Sequence, residues 1–385
     1  MLIHAPEHET AASMLVELAA NEGRRLLIEG GGTKRRFLRE PVADAVISTR
    51  KLSGITLYSP DELVMSARAG TPIAQIREVL ARKNQFLPAE PIEGAVYFEE
   101  GVATIGGAVA SNFSGPRRIA SGAMRDHVLG LRFINGNGEI MRAGGRVLKN
   151  VTGLDICKIL AGSHGSLALI TEVTFKVLPQ PPVSASVMVS DINAPNGIAF
   201  LSACLGSPYG VSGAAYLPAR GAAVVRLEAV ADSIAHRAPK LLEIAKEYGT
   251  SRILDDKESR TLWTNIAQAR GLGDCGNLAV WQISAAPSKV PAMLTQLGPG
   301  VKKTLLDWGG GRVLVAGAPT MDAHLAIVTA AKEAGGGWMV LRRGVDWPDD
   351  AQMLSPEPAS LAKISSGLRH SFDPHGVFSV GRMAS

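Results

Sequence analysis

ATIGGAVASNFSGPRRIASGAMRDHVLG, residues 103–130, is the stretch on which the fold turns. Gly106 and Gly107 let a backbone pass close to a ligand, because no Cβ stands in the way. Ser111, Asn112 and Ser114 offer short polar groups, and Gly115, Gly122 and Asp126 punctuate a return to the strand-like VLGLRFI. Upstream lies LIEGGGTKRRF, residues 27–37, an apolar run ending in glycines, a threonine and cations. Downstream, KNVTGLDICKILAGSHGSLALITEVTFKVLP, residues 149–179, carries the turn Gly162-Ser163-His164-Gly165 before another strand. Turns of this kind, each meeting a strand edge, can wrap an extended dinucleotide with backbone amides and without a helix dipole.

Two familiar phosphate loops fail on spacing. A P-loop needs GxxxxGK[ST], whereas Gly30-Gly31-Gly32-Thr33-Lys34 is compressed and followed by Arg35. The dinucleotide fingerprint GxGxxG has Arg35 where its third glycine belongs, and Asp44 is misplaced for the ribose acid. Taken alone, the GGGT turn is equally compatible with an ordinary glycine bend.

The bulk numbers bound the answer. A chain of 385 residues exceeds one ordinary core, so two domains or one lobed unit are expected. Hydrophobic residues make up 46% and charged residues 19%, a globular composition. No apolar run approaches the ~20 residues of a membrane helix, and MLIHAPEHET lacks the pattern of a secretory signal. Cys157, Cys204 and Cys275 lie far apart and outside any CxxC spacing. They predict neither a disulfide framework nor a zinc or iron–sulfur site, and fit a reducing cytoplasm. The formal charge is +5 with a pI near 9.1. Its clusters (Lys34, Arg35, Arg36; Arg117, Arg118; Arg342, Arg343) lack the interleaved aromatics of a stacking surface, so nucleic acid is not the expected partner.

Along the chain, Ala11, Met14, Leu15 and Leu18 recur at helical spacing within 10–21. Residues 25–28 and VADAVIST read as strands, and YSPDELVMSARAG as a turn feeding another. TPIAQIREVLARKN is an amphipathic helix with Ile73, Ile76, Val79 and Leu80 on one face. The proline-rich LPQPPVSAS marks a boundary near residue 180. Beyond it a second unit has helices near 234–248 and 324–334 between the strand-like AAVVRLEAV, NLAVWQI and RVLVAG. WPDDAQMLSPEPAS is a further connector, followed by a helix in LAKISSGLRHSF; no internal repeat is evident. The expected divisions are 1–180, 181–347 and 348–385.

Together these stretches resemble the FAD-binding domain of the vanillyl-alcohol oxidase (PCMH-type) flavoprotein superfamily over roughly residues 5–180, with the terminal FDPHGVFSVGRM as a further signature. The resemblance implies an α+β fold: a PCMH-type domain of two α+β subdomains, a smaller α/β (ferredoxin-like) cap domain, and a C-terminal segment returning to the FAD domain. It implies that Gly30, Gly31, Gly32 and Thr33, with Lys34 beside them, hold the FAD pyrophosphate. Thr104, Ile105, Gly106, Gly107, Ser111, Asn112 and Gly115 would form the long loop along the cofactor. Gly122, Asp126 and Val128, with Gly165, Ile170 and Thr171, would line the ribose and adenine side. Relatives that attach FAD covalently use a His beside the glycine turn or a Cys in the long loop. Neither occurs in EGGGTKRRF or ATIGGAVASNFSGPRR, so the bound FAD is expected to be non-covalent. His127 and His164 are read as structural.

Within that superfamily, LPAEP, SGPRR, MRDHVLGLRFINGNGE, GGRVLKNVTGLD and LLDWGGGRVLVAG resemble the family of FAD-binding E subunits of bacterial glycolate oxidases. That resemblance implies an oxidoreductase complex with a larger flavin subunit and an iron–sulfur subunit, acting on 2-hydroxy acids. Larger relatives use a metal held by an HxGDGNxH-like segment. Here DWGGGRVLVAG, residues 307–317, stands in its place, with no histidine or carboxylate after Asp307, so no metal site is expected. The expected role is an accessory flavin subunit, cytoplasmic and touching a membrane only through a partner, with no catalytic residue assigned. A self-sufficient oxidoreductase and a flavin-free scaffold remain open alternatives. Arg312, Arg342, Arg343 and Arg382 are candidate carboxylate ligands, with Arg382 best placed. Tyr97, Phe98, Trp308, Trp338 and Trp347 are read as core or interface residues.

Overall fold

The computed structural model describes residues 1–93, 101–146 and 153–378. Tyr97, Phe98 and Arg382, and part of the GGRVLKNVTGLD and FDPHGVFSVGRM signatures, lie outside the described residues. At the amino terminus, Leu2–His4, Ala45–Ser48 and Leu26–Glu29 form a parallel sheet in that order. The helix Glu9–Asn21 covers it, but with a different stripe from the one the sequence offers. Ala12, Val16 and Ala19 are buried, whereas Met14 is 64% and Leu18 48% exposed. Small residues let this helix approach closely and leave its longer apolar side chains outside.

The second subdomain is an antiparallel five-stranded sheet in the order Ile55–Ser59, Val64–Arg68, Leu169–Lys176, Val128–Ile134 and Ile140–Gly144. On it lies the helix Ile73–Ala81, which buries Ile73, Ile76 and Leu80 as their 3–4 spacing predicts. Met65, Phe133, Phe175 and the helix residues Ile105 and Val109 complete that core.

Residues 183–342 build one eight-stranded antiparallel sheet. Its two halves repeat a strand–helix–strand–strand–helix–strand order. The first runs through Val183–Ser190, Ala194–Leu205, Gly213–Leu217, Ala222–Ala229, Ala231–Lys246 and Thr250–Leu254. The second runs through Ala279–Ser284, Val290–Gln296, Val301–Asp307, Arg312–Gly317, Met321–Glu333 and Gly337–Arg342. Each half is ferredoxin-like, and they join at Tyr216 opposite Leu306. The absence of an internal repeat in the sequence is thus corrected at the level of structure. Packing needs the alternation of apolar strand residues, not their identity, so the halves share topology without visibly shared sequence.

The helix Asp256–Ala267 is inserted between the halves. Ser259 meets the hydroxyls of Ser184 and Ser186, and Trp263 donates its indole N–H to Ser186. At the carboxyl end, Asp373 accepts the amides of Val377 and Phe378. Val377 and Phe378 are buried in the cluster that holds Ala12, Val16 and Ile47, and Leu26 donates to the Val377 carbonyl. The chain end therefore returns to the first sheet.

Candidate functional site

A groove runs between the parallel sheet and the five-stranded sheet. Leu27, Ile28 and Glu29 lead into it, and the glycine turn forms one wall. The carbonyls of that turn face away: Arg50 donates to Gly30 O at 3.3 Å and to Gly31 O at 3.1 Å. Arg35 is held on Glu29 at 2.8 Å. The backbone N–H groups of Gly30, Gly31, Gly32 and Thr33 make no hydrogen bond among the described residues. A buried run of bare amides is costly unless a ligand uses it, and such a nest favours an anion.

The glycines are required sterically. A Cβ on Gly31 would fall on the Val102 carbonyl, and one on Gly106 would lie 2.6 Å from the Ala69 Cβ. Thr104 caps the helix Ile105–Ser111 by accepting from Gly107 at 3.4 Å. This corrects the expectation of turns alone, since the second glycine pair opens a short helix. Gly106 donates instead to the Ala69 carbonyl, which fixes the strand–helix approach.

Of the residues singled out in the sequence, Gly30, Gly31, Gly32, Thr33, Lys34, Thr104, Gly106, Gly107, Ser111, Gly165 and Ile170 line this groove together. The structure places the others off its walls. Ile105 and Val128 are core residues. Asn112 and Asp126 cap local turns, accepting from Arg125 and Ala123 respectively, and Gly122 packs on the Asp126 carboxylate. Gly115 donates to Ala89 O. The Thr171 hydroxyl binds Glu9 at 2.5 Å.

Sequence reasoning missed Arg50 and the aromatic end of the groove. Phe37 packs 5.5 Å from Phe113 and 4.8 Å from His164, and Lys34 Nζ sits 5.9 Å from the Phe113 ring centroid. Burial pushes the Lys34 ammonium down to about 8, although its side chain keeps partial solvent exposure. Nothing in STRKLSG marks Arg50, because its role arises only when the strand pairing brings it under the turn.

A seam of charge joins this half to the eight-stranded sheet. Arg117 pairs with both Glu90 and Glu228, and Arg226, 2% exposed, donates to Glu90 at 3.1 Å. Burial opposes the Arg117 charge, but Glu90 and Glu228 outweigh it and hold the guanidinium above its usual range. Beside them Trp308 donates its indole N–H to Gly115 O at 3.1 Å, with Arg118 and Arg312 stacked on its ring at 4.5 and 5.0 Å. Asp307, 1% exposed, accepts from Trp308 N, and its other oxygen lies 3.9 Å from Arg312. Burial, only partly countered by Arg312, raises this carboxyl to about 6.

Three of the four candidate carboxylate ligands lie among the described residues, and these are engaged. Arg312 binds Gln282, Arg342 binds Gly276 O and Arg343 binds Glu40. Trp338 and Trp347 pack around His324 with Trp281. His127 is buried, which keeps its imidazole below the usual range. Among the described residues no cluster of His, Cys, Asp or Glu is arranged to hold a metal, and no helix is long and apolar enough to cross a membrane.

This geometry agrees with what the chain resembles. The family described as "FAD binding domain" matches residues 2–144. The glycolate oxidase subunit GlcE of Escherichia coli is 34% identical over 372 residues, covering 96% of this chain and 95% of the relative. The glycolate oxidase subunit GlcD of Bacillus subtilis is 25% identical over 185 residues, 48% of this chain and 38% of that protein. The structure of 4-ethylphenol oxidase from Gulosibacter chungangensis superposes with a TM-score of 0.75 at 10% identity, covering 97% of this chain and 87% of that one. The chain belongs to the FAD-linked oxidoreductases of PCMH-type fold and, among them, to the family of the glycolate oxidase E subunit. Its cofactor is FAD, and the bare amides and tight glycines of the groove suit a diphosphate.

Proposed function

We propose that this chain is the accessory FAD-binding subunit of a 2-hydroxy-acid oxidase of the glycolate oxidase type. A larger flavin subunit performs the main oxidation, and an iron–sulfur subunit carries electrons onward. The observation that carries the reading is the run of amides from Gly30 to Thr33, held open by Arg50 beneath it, in a chain similar to GlcE over nearly its whole length. When bound, FAD supplies two-electron redox chemistry, accepting a hydride equivalent and releasing electrons.

The chain's own residues then do the following. Gly30 to Thr33 would donate to the diphosphate, with Lys34 adding charge. Gly106, Gly107, Ser111, Gly165 and Ile170 would line the cofactor along the groove. Phe37 and His164, packed against each other and on Phe113, would give the cofactor an apolar wall. The remaining residues of the family pattern, Ile105, Asn112, Gly115, Gly122, Asp126, Val128 and Thr171, shape this surface through their packing and turns. The FAD is held without a covalent bond, and the functional divisions fall at 1–180, 181–347 and 348–385. The complex is cytoplasmic, and any membrane contact is made by a partner.

The accessory role is supported by the turn 307–311, in which Asp307 is the sole carboxylate and no histidine is present. The test is to purify the chain alone, record its flavin spectrum and add glycolate or D-lactate without oxygen. The spectrum should persist; stoichiometric bleaching at a rate useful to a cell would overturn the accessory role and favour self-sufficient catalysis.

A further inference from the structure

The seam between the cofactor-binding half and the eight-stranded sheet holds one arginine whose hydrogen-bonding capacity is not used. Arg117 is consumed by Glu90 and Glu228. Arg312 donates to Gln282 and pairs with Asp307 at 3.9 Å. The side chain of Arg118, next to Arg117 in sequence, makes no hydrogen bond and no ion pair among the described residues. Its guanidinium carbon sits over Trp308, 4.5 Å from the ring centroid. Stacking occupies the face of the guanidinium and leaves its edge, with a fork of N–H donors, open.

The surroundings favour an anion at that edge. Arg125 and Arg312 are close enough to make the Arg118 charge less favourable, while Asp126 gives only partial relief, and burial acts in the same direction as the two cations. Asp126 is itself engaged by the Ala123 amide and by Arg125. Trp308 is pinned to Gly115 O, so the ring that orients Arg118 is tied to the loop that begins at the groove residue Ser111. A rigid, stacked, half-buried guanidinium in a positive field is matched best by a planar carboxylate, which it can grip through two parallel hydrogen bonds.

We propose that Arg118 binds the carboxylate of a 2-hydroxy or 2-oxo acid at this seam, with Trp308 as the positioning residue that fixes its plane. The inference rests on the reading of the chain as a flavoprotein of hydroxy-acid oxidation. It gives this chain a place for the acid without requiring that the oxidation occur here. A phosphate of FAD has the same ligand chemistry, so the test must tell the two apart.

Oxalate serves as the probe, titrated calorimetrically into the full chain as purified, with flavin content read in parallel from the visible spectrum. Arg118→Met should weaken oxalate binding on the order of 30-fold, the loss expected for a charge-assisted bidentate contact, and leave flavin content unchanged. Arg118→Lys, which keeps the charge but loses the planar fork, should recover only part of that affinity. Equal oxalate binding by wild type and Arg118→Met, or no binding by wild type, overturns the proposal. Loss of flavin in Arg118→Met overturns it in favour of a cofactor phosphate. A colourless wild-type chain whose oxalate binding still depends on Arg118 would sink the flavoprotein reading and leave the carboxylate site standing.

Discussion

Gly31 shows how a single missing side chain shapes the groove. Its Cβ position is already occupied by the Val102 carbonyl, so Gly31→Ala must push the turn or the 101–102 segment aside. The expected outcome is at least a tenfold loss of FAD affinity, the effect of losing about 1.4 kcal/mol of amide contacts, measured by flavin fluorescence quenching, with the helical signal of the fold retained. Lys34 gives a pH dependence. In the free groove its ammonium titrates at about 8, and a bound diphosphate raises that value by favouring the charged form. The contribution to FAD affinity is therefore complete below pH 8 and is lost as pH rises through the bound-state value, because binding then requires proton uptake. A series of affinities from neutral to alkaline pH should fall for the wild type and stay flat for Lys34→Gln. The glycines and the lysine were visible in LIEGGGTKRRF. Arg50 was not, since a lone arginine after a strand carries no local pattern.

At the scale of elements, the seam joins the loop after Ile105–Ser111 to two strands of the large sheet. Glu228 accepts from Arg117 and from Ser212, beside the buried Arg226. Glu228→Ala strands two cations with one carboxylate, and breaking a buried pair in this way costs about 3–5 kcal/mol. Chemical denaturation should show that loss, and limited proteolysis should cut between the cofactor half and the sheet sooner than in wild type. If Glu228→Ala matches wild-type stability, the network is solvated and does not hold the halves together. Five of the longer helices were legible from apolar spacing, whereas Ala194–Leu205 and Asp256–Ala267 were not. The face of Glu9–Asn21 was not, because Ala12, Val16 and Ala19 carry weaker apolar signals than the exposed Met14 and Leu18. The Thr104 cap was overlooked because the glycines that follow it weaken the signal of a helix.

The whole molecule was recognisable from three glycine-bearing stretches spread over about 140 residues, a spacing that only a shared groove explains. The doubled ferredoxin-like sheet was not, since YLPARGAAVVRL and LLDWGGGRVLVA occupy equivalent hairpins with different turn residues. That difference separates the halves chemically. One hairpin carries Arg226 into the charged seam, and the other places Trp308 against the cofactor loop.

The central claim is that the unoccupied amides of Gly30 to Thr33, in a groove also lined by Gly106, Gly107 and Gly165, hold one diphosphate-bearing cofactor. Titration of the cofactor-stripped chain with FAD, followed by flavin fluorescence, tests it most directly. Saturation at one FAD per chain, weakened in Gly31→Ala, is the predicted result. A folded wild-type chain that takes up no FAD, or takes it up equally well with the glycine turn altered, would contradict it.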